Sequence, residues 1–429
     1  MGAQIGSNLE CIGGSFTNSP QTWAKENTTP VVDGTGTALN VDAAVVKGNM
    51  FLSRKFSAEG EVRLMGTQIA GVLECIDAAF KNPLVPNNSL SGNALTADSM
   101  ITSGYVSLTS GFDADGAVSL RNAQIGGDLD CTGAKLSADL IAESAVIKGN
   151  FVWSGIPQSE TIRVSMVNTS AGGLMGDVKS WAGAAAGKQQ LDGFVYGHVK
   201  DLTNNLEGRL DWLRSQDSFT SQPYLQLAKV LSDEGEDAAA RHVLYSMEIE
   251  RRKKEKRPSA PSWKISNFKQ GVSYLLYPLR LVWNFTLRMT IGYGYYTDWC
   301  LRWLLLVIVS GWLIFYVGYY AGNVVPTNET AYATFKTNGA APAYYGRFHA
   351  FIYSLENSFP LVKLGQADLW QPDPNSSATP PASRQSRRVP KLFFESAKFL
   401  ASFRWFQILA GWFLATMGVT GLSGVIRKD

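Results

Sequence analysis

The chain has 429 residues, 45% of them hydrophobic and 17% charged, with a net charge of +3. That composition excludes disorder, which needs few apolar residues and a large net charge, and four cysteines in this length exclude a disulfide scaffold. The charge is unevenly placed, a net −6 over residues 1–170 and a net +9 over residues 171–429, which implies two environments in one polypeptide.

The first 160 residues repeat. AQIGSNLECIGGSF (3–16), TQIAGVLECIDAAF (67–80) and AQIGGDLDCTGAKL (123–136) align, as do the stretches beginning at Ala38 and Ala94, 56 residues apart. Cys75 and Cys131 share that spacing, whereas Cys11 and Cys75 are 64 apart, so one coil carries an insertion. Apolar pulses every four to six residues, such as Leu136, Ile141, Val146 and Phe151, with Gly, Asn, Asp and Ser between them, suit very short strands and turns. The pattern predicts a β-solenoid over 1–165, with Ile, Leu, Val and Phe inward and Gly at the corners. The 56-residue unit reads as three coils of roughly 18–20 residues. Cys11, Cys75 and Cys131 then take equivalent inward positions about 14 Å apart, at ~4.8 Å per strand layer. That is too far to share a metal, and small buried hydrophobes are the reading. The chain starts inside a repeat, so its first coil has no polar cap. The expectation is that a protein partner covers that end or that the chain is a shortened form of a longer one.

Residues 188–257 change to helical spacing and predict a helical adaptor. Leu225, Leu227, Ala228, Val230 and Leu231 line a first helix that Gly235 stops, and Asp237 starts a second with Val243, Leu244 and Met247 on its apolar face. This second helix runs into Arg251, Arg252, Lys253, Lys254, Lys256 and Arg257, read as a lipid-facing basic run. Residues 258–298 are apolar and aromatic with interspersed Lys and Arg, and predict an interfacial segment broken or kinked at Pro278.

Two uncharged stretches, Trp303 to Tyr320 and Trp405 to Ile426, predict a membrane domain over 299–429 with spans at about 300–322 and 405–426. Trp and Tyr at the span ends and Arg302, Arg404, Arg427 and Lys428 just outside fit the headgroup belt and snorkelling. The basic run and the tail place both termini in the cytoplasm, and the setting is the bacterial inner membrane. Gly411, Ala415, Gly418, Gly421 and Gly424 form a small-residue face for close helix packing.

Between the spans, 348–370 (FHAFIYSLENSFPLVKLGQADLW) reads as an apolar helix ending near Pro360, an extended run to Gly365, then polar Gln366 and Asp368. Helix, turn and extended segment between two spans is the pattern of a re-entrant pore loop, tolerated at membrane depth where it lines a cavity. It resembles the pore loop of two-span cation channels, but the filter Thr-Val-Gly-Tyr-Gly is absent and Lys363 stands where carbonyl lining belongs. Candidate pore-lining residues are Glu356, Lys363, Gly365, Gln366 and Asp368. A ring of Lys363 would favour anions, a ring of Glu356 or Asp368 cations. The competing reading is an external amphipathic helix on the headgroups.

LDGFVYG (191–197), RLDWL (209–213), QPYLQLAKVL (222–231), YSLENSFPLVKLG (353–365) and GWFLATMGVTGLSGVIRKD (411–429) resemble a bacterial family of uncharacterised membrane proteins with N-terminal pentapeptide- or bactofilin-like repeats. Members are sometimes labelled membrane-associated oxidoreductases. The residues do not carry that label: there is no G-x-G-x-x-G, C-x-x-C or P-loop, and the three histidines are scattered, so no catalytic, cofactor-binding or metal residue is assigned. The fold class is thus mixed: a β-solenoid, a helical hairpin adaptor and a two-helix transmembrane domain with a re-entrant-like loop. The expected partners are the lipid bilayer, further copies of the chain and a protein at the open solenoid end, not nucleic acid. The expected function is an oligomeric, channel-like protein, or else a membrane-anchored scaffold whose solenoid binds partners.

Overall fold

Pairs and triplets of extended residues, separated by Gly, Asn, Asp and Ser turns, wind into a four-sided parallel stack. The structure is a computed structural model and describes residues 2–18, 21–23, 31–33, 36–84, 92–157, 162–182, 189–200, 206–254, 268–359, 362–374 and 396–422. It forms two units, residues 1–255 and 256–429. In unit one, strands Val45–Val46, Met50–Phe51, Phe56–Glu59 and Glu61–Arg63 make one coil. Gln68–Ile69, Leu73–Glu74, Ala78–Lys81 and Asn93–Thr96 stack on it in parallel, side for side. The solenoid has about six turns.

Its repeat is not the three-coil unit expected from the spacing. Stacked partners Val45 and Gln68, or Ile101 and Gln124, are 23 residues apart, whereas Gln4 and Val45 are 41 apart and Gln68 and Ile101 33 apart. The long coils carry insertions after Asn18 and Asn82, whose side-chain amides donate to the carbonyls of Thr37 and Asn93 and close the base of each. The short coils turn the same corner on one residue, Gly60 at φ +119° and Gly116 at φ +136°, a conformation L side chains rarely adopt. The 56-residue unit is therefore one short and one long coil.

Packing explains why the sequence repeats every second coil. Stacked along one side are Cys11, Leu52, Cys75, Leu108, Cys131 and Trp153, each one position past a hydrogen-bonded strand pair, so thiols alternate with larger side chains. On the next side one row runs Phe16, Ala58, Phe80, Ala114, Leu136, and the adjacent row pairs Phe56 with Ala78. Large faces small across each layer, and the rings of Phe16, Phe56, Phe80 and Phe112 zigzag up the stack at 5.6, 5.3 and 5.2 Å. Such interdigitation fills a core to native density. Cys75 and Cys131 are buried, and burial pushes both thiols well above the ordinary range. They lie two layers apart, about 10 Å at ~4.8 Å per layer, rather than three.

The coils run past residue 165, to the strand Val199–Lys200, and the helices form the far end of the same body. These are α1 (Val178–Ala182), α2 (Leu206–Arg214), α3 (Gln222–Asp233) and α4 (Asp237–Lys254). Trp181 of α1 and Trp212 of α2 meet edge-on at 5.4 Å, and Trp181 also meets Trp153 and Phe151 of the coils. On α3, the Gln226 amide donates to the carbonyl of Tyr196 at 2.7 Å, and Gln222 bridges the Gly193 amide and the Phe194 carbonyl. What the sequence suggests as a separate adaptor is the lid on the open apolar end of the stack. Asp177 starts α1. Burial alone would raise its pKa, but hydrogen bonds from the Ser180 hydroxyl and amide, the Gly155 amide and the Ser154 hydroxyl outweigh it and hold it down at about 2.

In unit two, α5 (Phe268–Ile291) continues through Pro278, which bends or weakens a helix without having to end it. A 3₁₀ turn at Gly292–Gly294, with Tyr293 at φ 57°, leads to α6 (Asp298–Tyr320). Among the described residues α6 is the one helix that passes, by length and composition, as able to cross a membrane. Beyond it, strand Val324–Pro326 pairs antiparallel with Trp370–Pro372. α7 (Glu329–Asn338) is capped by the Asn328 side chain and ends at Gly339, φ 71°. α8 (Ala350–Ser358) and the one-turn α9 (Gln366–Leu369) follow, and α10 (Ala397–Leu422) begins eight residues before the expected span. Trp370, Tyr319, Phe335 and Phe348 form an aromatic cluster at the α7 end, where Lys336 pairs with buried Asp373.

Candidate functional site

α6 and α10 lie antiparallel over most of their length. A side chain on Gly318 would meet Leu400, one on Gly311 would meet Gln407, and Gly418 faces Cys300. The matched stretch from Cys300 to Gly318 is about 27 Å at ~1.5 Å per residue. α8 enters this pair from the α7 end: Phe315 packs edge-on against Tyr353 at 4.9 Å, and Phe351 meets Trp312 at 6.1 Å. Its last residue, Ser358, puts its carbonyl against Gly411, fourteen residues into α10. α8 therefore stops near the middle of both long helices, and the chain turns back within seven residues to Gly365.

The turning point is held by buried polar groups. Gln407 of α10, fully buried, donates to the Ser354 and Ser358 hydroxyls at 2.7 and 2.8 Å and to the Ser354 carbonyl at 3.2 Å. The Ser354 hydroxyl in turn donates to the Ile308 carbonyl of α6 at 2.7 Å. Gly311 and Gly411 leave the space for this node, since a methyl on either would strike Gln407 and Ser354 or the Ser358 carbonyl. Arg404 donates to the Asn357 side chain at 3.3 Å and the Ala367 carbonyl at 3.4 Å, and lies over the Tyr353 ring at 5.7 Å. It ties α10 to both limbs of the loop. The sequence reading missed Ser354, Asn357, Ser358 and Gln407; the signal for them is polar residues within apolar helical stretches, with Ser354, Asn357 and Ser358 spaced on one face.

The expected pore-lining residues separate into two groups. The Glu356 carboxylate accepts from the amides of Gly365, Gln366 and Ala367 at 3.1, 2.7 and 2.9 Å, so it caps α9 and closes the loop. Gln366 is buried, with Oε1 accepting from the His349 amide and Nε2 donating to the Arg347 carbonyl. Gly365, at φ +79°, makes the turn into α9. These three hold the loop. Lys363 and Asp368 are exposed, and among the described residues their side chains make no hydrogen bond or ion pair.

Of the small-residue face, Gly411 is in tight contact with α8, Gly418 has ordinary room beside Cys300, and Ala415 is half-buried. Gly421 lies in the last turn of α10, and Gly424 lies outside the described residues. In the basic run, Arg251 and Arg252 pair with Glu248 at 2.8 and 3.1 Å and Lys253 pairs with Glu250 at 2.8 Å. Three of its charges are thus engaged along α4. Lys254 is exposed, and Lys256 and Arg257 lie outside the described residues. No protein family, curated protein or solved structure matches the chain.

Proposed function

We propose that residues 256–429 form a two-span, ion-conducting membrane domain assembled from several copies of the chain, with the lidded solenoid as its sensing or assembly module. The observation that carries this is α8, a helix that enters beside two long antiparallel helices, ends half-way along them and returns to the side it came from. Non-helical backbone at that depth is stable in lipid only where it is buried in protein or lines a water-filled cavity. The outward faces support the setting: Leu305, Leu306 and Leu313 of α6 and Trp405, Leu409 and Trp412 of α10 are exposed in the single chain, and such faces stay exposed only against lipid or another subunit. Antiparallel spans put both termini on one side, and the excess of Lys and Arg over 251–257 favours the cytoplasmic face of a bacterial inner membrane. Two spans cannot enclose water, so the reading requires a ring.

Native mass spectrometry of the protein in mild detergent tests it. Four or more subunits make a central pathway possible, whereas a monomer or dimer leaves too few helices to surround water and ends the channel reading.

A second reading, a membrane-anchored scaffold, is favoured by one side of the solenoid. There Gln4, Val45, Gln68, Ile101, Gln124 and Val146 stack in one uncharged outward row. A flat β face of this kind can seat a protein partner. Closed rings that pass no ion at any voltage would support it.

A further inference from the structure

We infer that the pathway around the α8 loop passes small monovalent anions such as chloride, with Lys363 as the selecting charge. This rests on the channel reading above and names what the channel selects. The charged groups on the loop and on the elements packed against it are Arg347, Glu356, Lys363, Asp368, from α10 Arg404 and Lys398, and from the first turns of α6 Asp298 and Arg302, which pair with each other at 2.8 Å. Glu356 accepts from three backbone amides, which hold its carboxylate against the returning loop. Asp368 stands at the mouth, because its own carbonyl and that of Leu369 accept from the Thr327 hydroxyl beside the outer two-stranded sheet. Arg347 lies before α8, at the same outer end, and Lys398 is in the first turn of α10. Arg404 is turned inward onto Asn357, Ala367 and Tyr353, where it adds positive potential behind the loop.

Lys363 remains. It lies in the return limb five residues past Ser358, the residue seated against Gly411, and it is exposed and without a partner among the described residues. A charged side chain at membrane depth is stable where it meets water, so its neighbourhood is the wet one. The carbonyl end of α8 opposes an anion, but it amounts to roughly half an elementary charge. Lys363 with Arg404 against Glu356 leaves a full positive charge per subunit. A ring of such charges repels cations and admits anions.

The test uses the full chain in planar bilayers under a tenfold KCl gradient, with the subunit number of each variant checked by native mass spectrometry. Wild-type current should reverse toward the chloride limit, about 59 mV for that gradient. K363R should keep this, K363Q should move the reversal toward zero, and K363E should carry it to the potassium side. Wild-type current reversing on the potassium side, or an unchanged reversal in K363E, overturns anion selection and leaves the channel standing. Silence from intact rings overturns both.

Discussion

Asp177 shows how one side chain can set the acid limit of the solenoid's lidded end. Its carboxyl, held at about 2 by four hydrogen bonds against the ordinary 3.8, contributes stability that is complete above pH 4 and is lost as pH falls through 2. D177N should lower the melting temperature at pH 7 and flatten the stability profile between pH 4 and 2, measured by thermal unfolding at a series of pH values. A profile identical to wild type would remove Asp177 from that role. Glu356 is a second case. Hydrogen bonds to a charged group contribute about 1.5–3 kcal/mol each, and Glu356 accepts three from the returning loop. E356A should cost on the order of 2 kcal/mol or more, while D368A, at an exposed side chain, should stay within about 0.5 kcal/mol. Equal losses in thermal melts would contradict the assignment of Glu356 as the clamp. Neither role could be read from the sequence, because both depend on where the chain returns: Asp177 meets Gly155 from the coil below, and Glu356 meets amides nine to eleven residues on.

Elements were more legible than the contacts between them. The short strands, the equivalent inward cysteines, Gly235 after α3 and Asp237 at the start of α4 all follow from local patterns that survive into the fold. The coil count did not, because insertions after Asn18 and Asn82 lengthen alternate coils and a spacing of 56 divides plausibly by three. The Phe–Ala and Cys–Leu alternations carried the answer, since large can face small only if the repeat closes on two layers. At Pro278 the milder of the two expected outcomes holds, for one proline removes a single intrahelical donor and α5 continues through it. The glycines of α10 also looked equivalent and are not. G411A drives a methyl into the Ser358 carbonyl, whereas G418A finds ordinary contact with Cys300. Overpacking of this kind costs about 1–3 kcal/mol. G411A should therefore melt well below wild type in detergent and G418A close to it; the reverse order would mean that α8 does not seat on α10 as described.

At the scale of the molecule, the long helices of residues 256–429 present apolar side chains outward. The central claim is that the α8 loop meets water at a depth where the neighbouring helix face meets lipid or another subunit. Leu364 of the loop and Leu409 of α10 are 50% and 68% exposed in the single chain, so shielding by the protein itself does not separate them. The most direct measurement is labelling of L364C and L409C by a water-soluble, membrane-impermeant maleimide in reconstituted vesicles, read site by site by peptide mass spectrometry. The account predicts rapid labelling of L364C and little of L409C. Equal labelling at both positions would contradict it, because it would place the two faces in the same medium and remove the re-entrant loop.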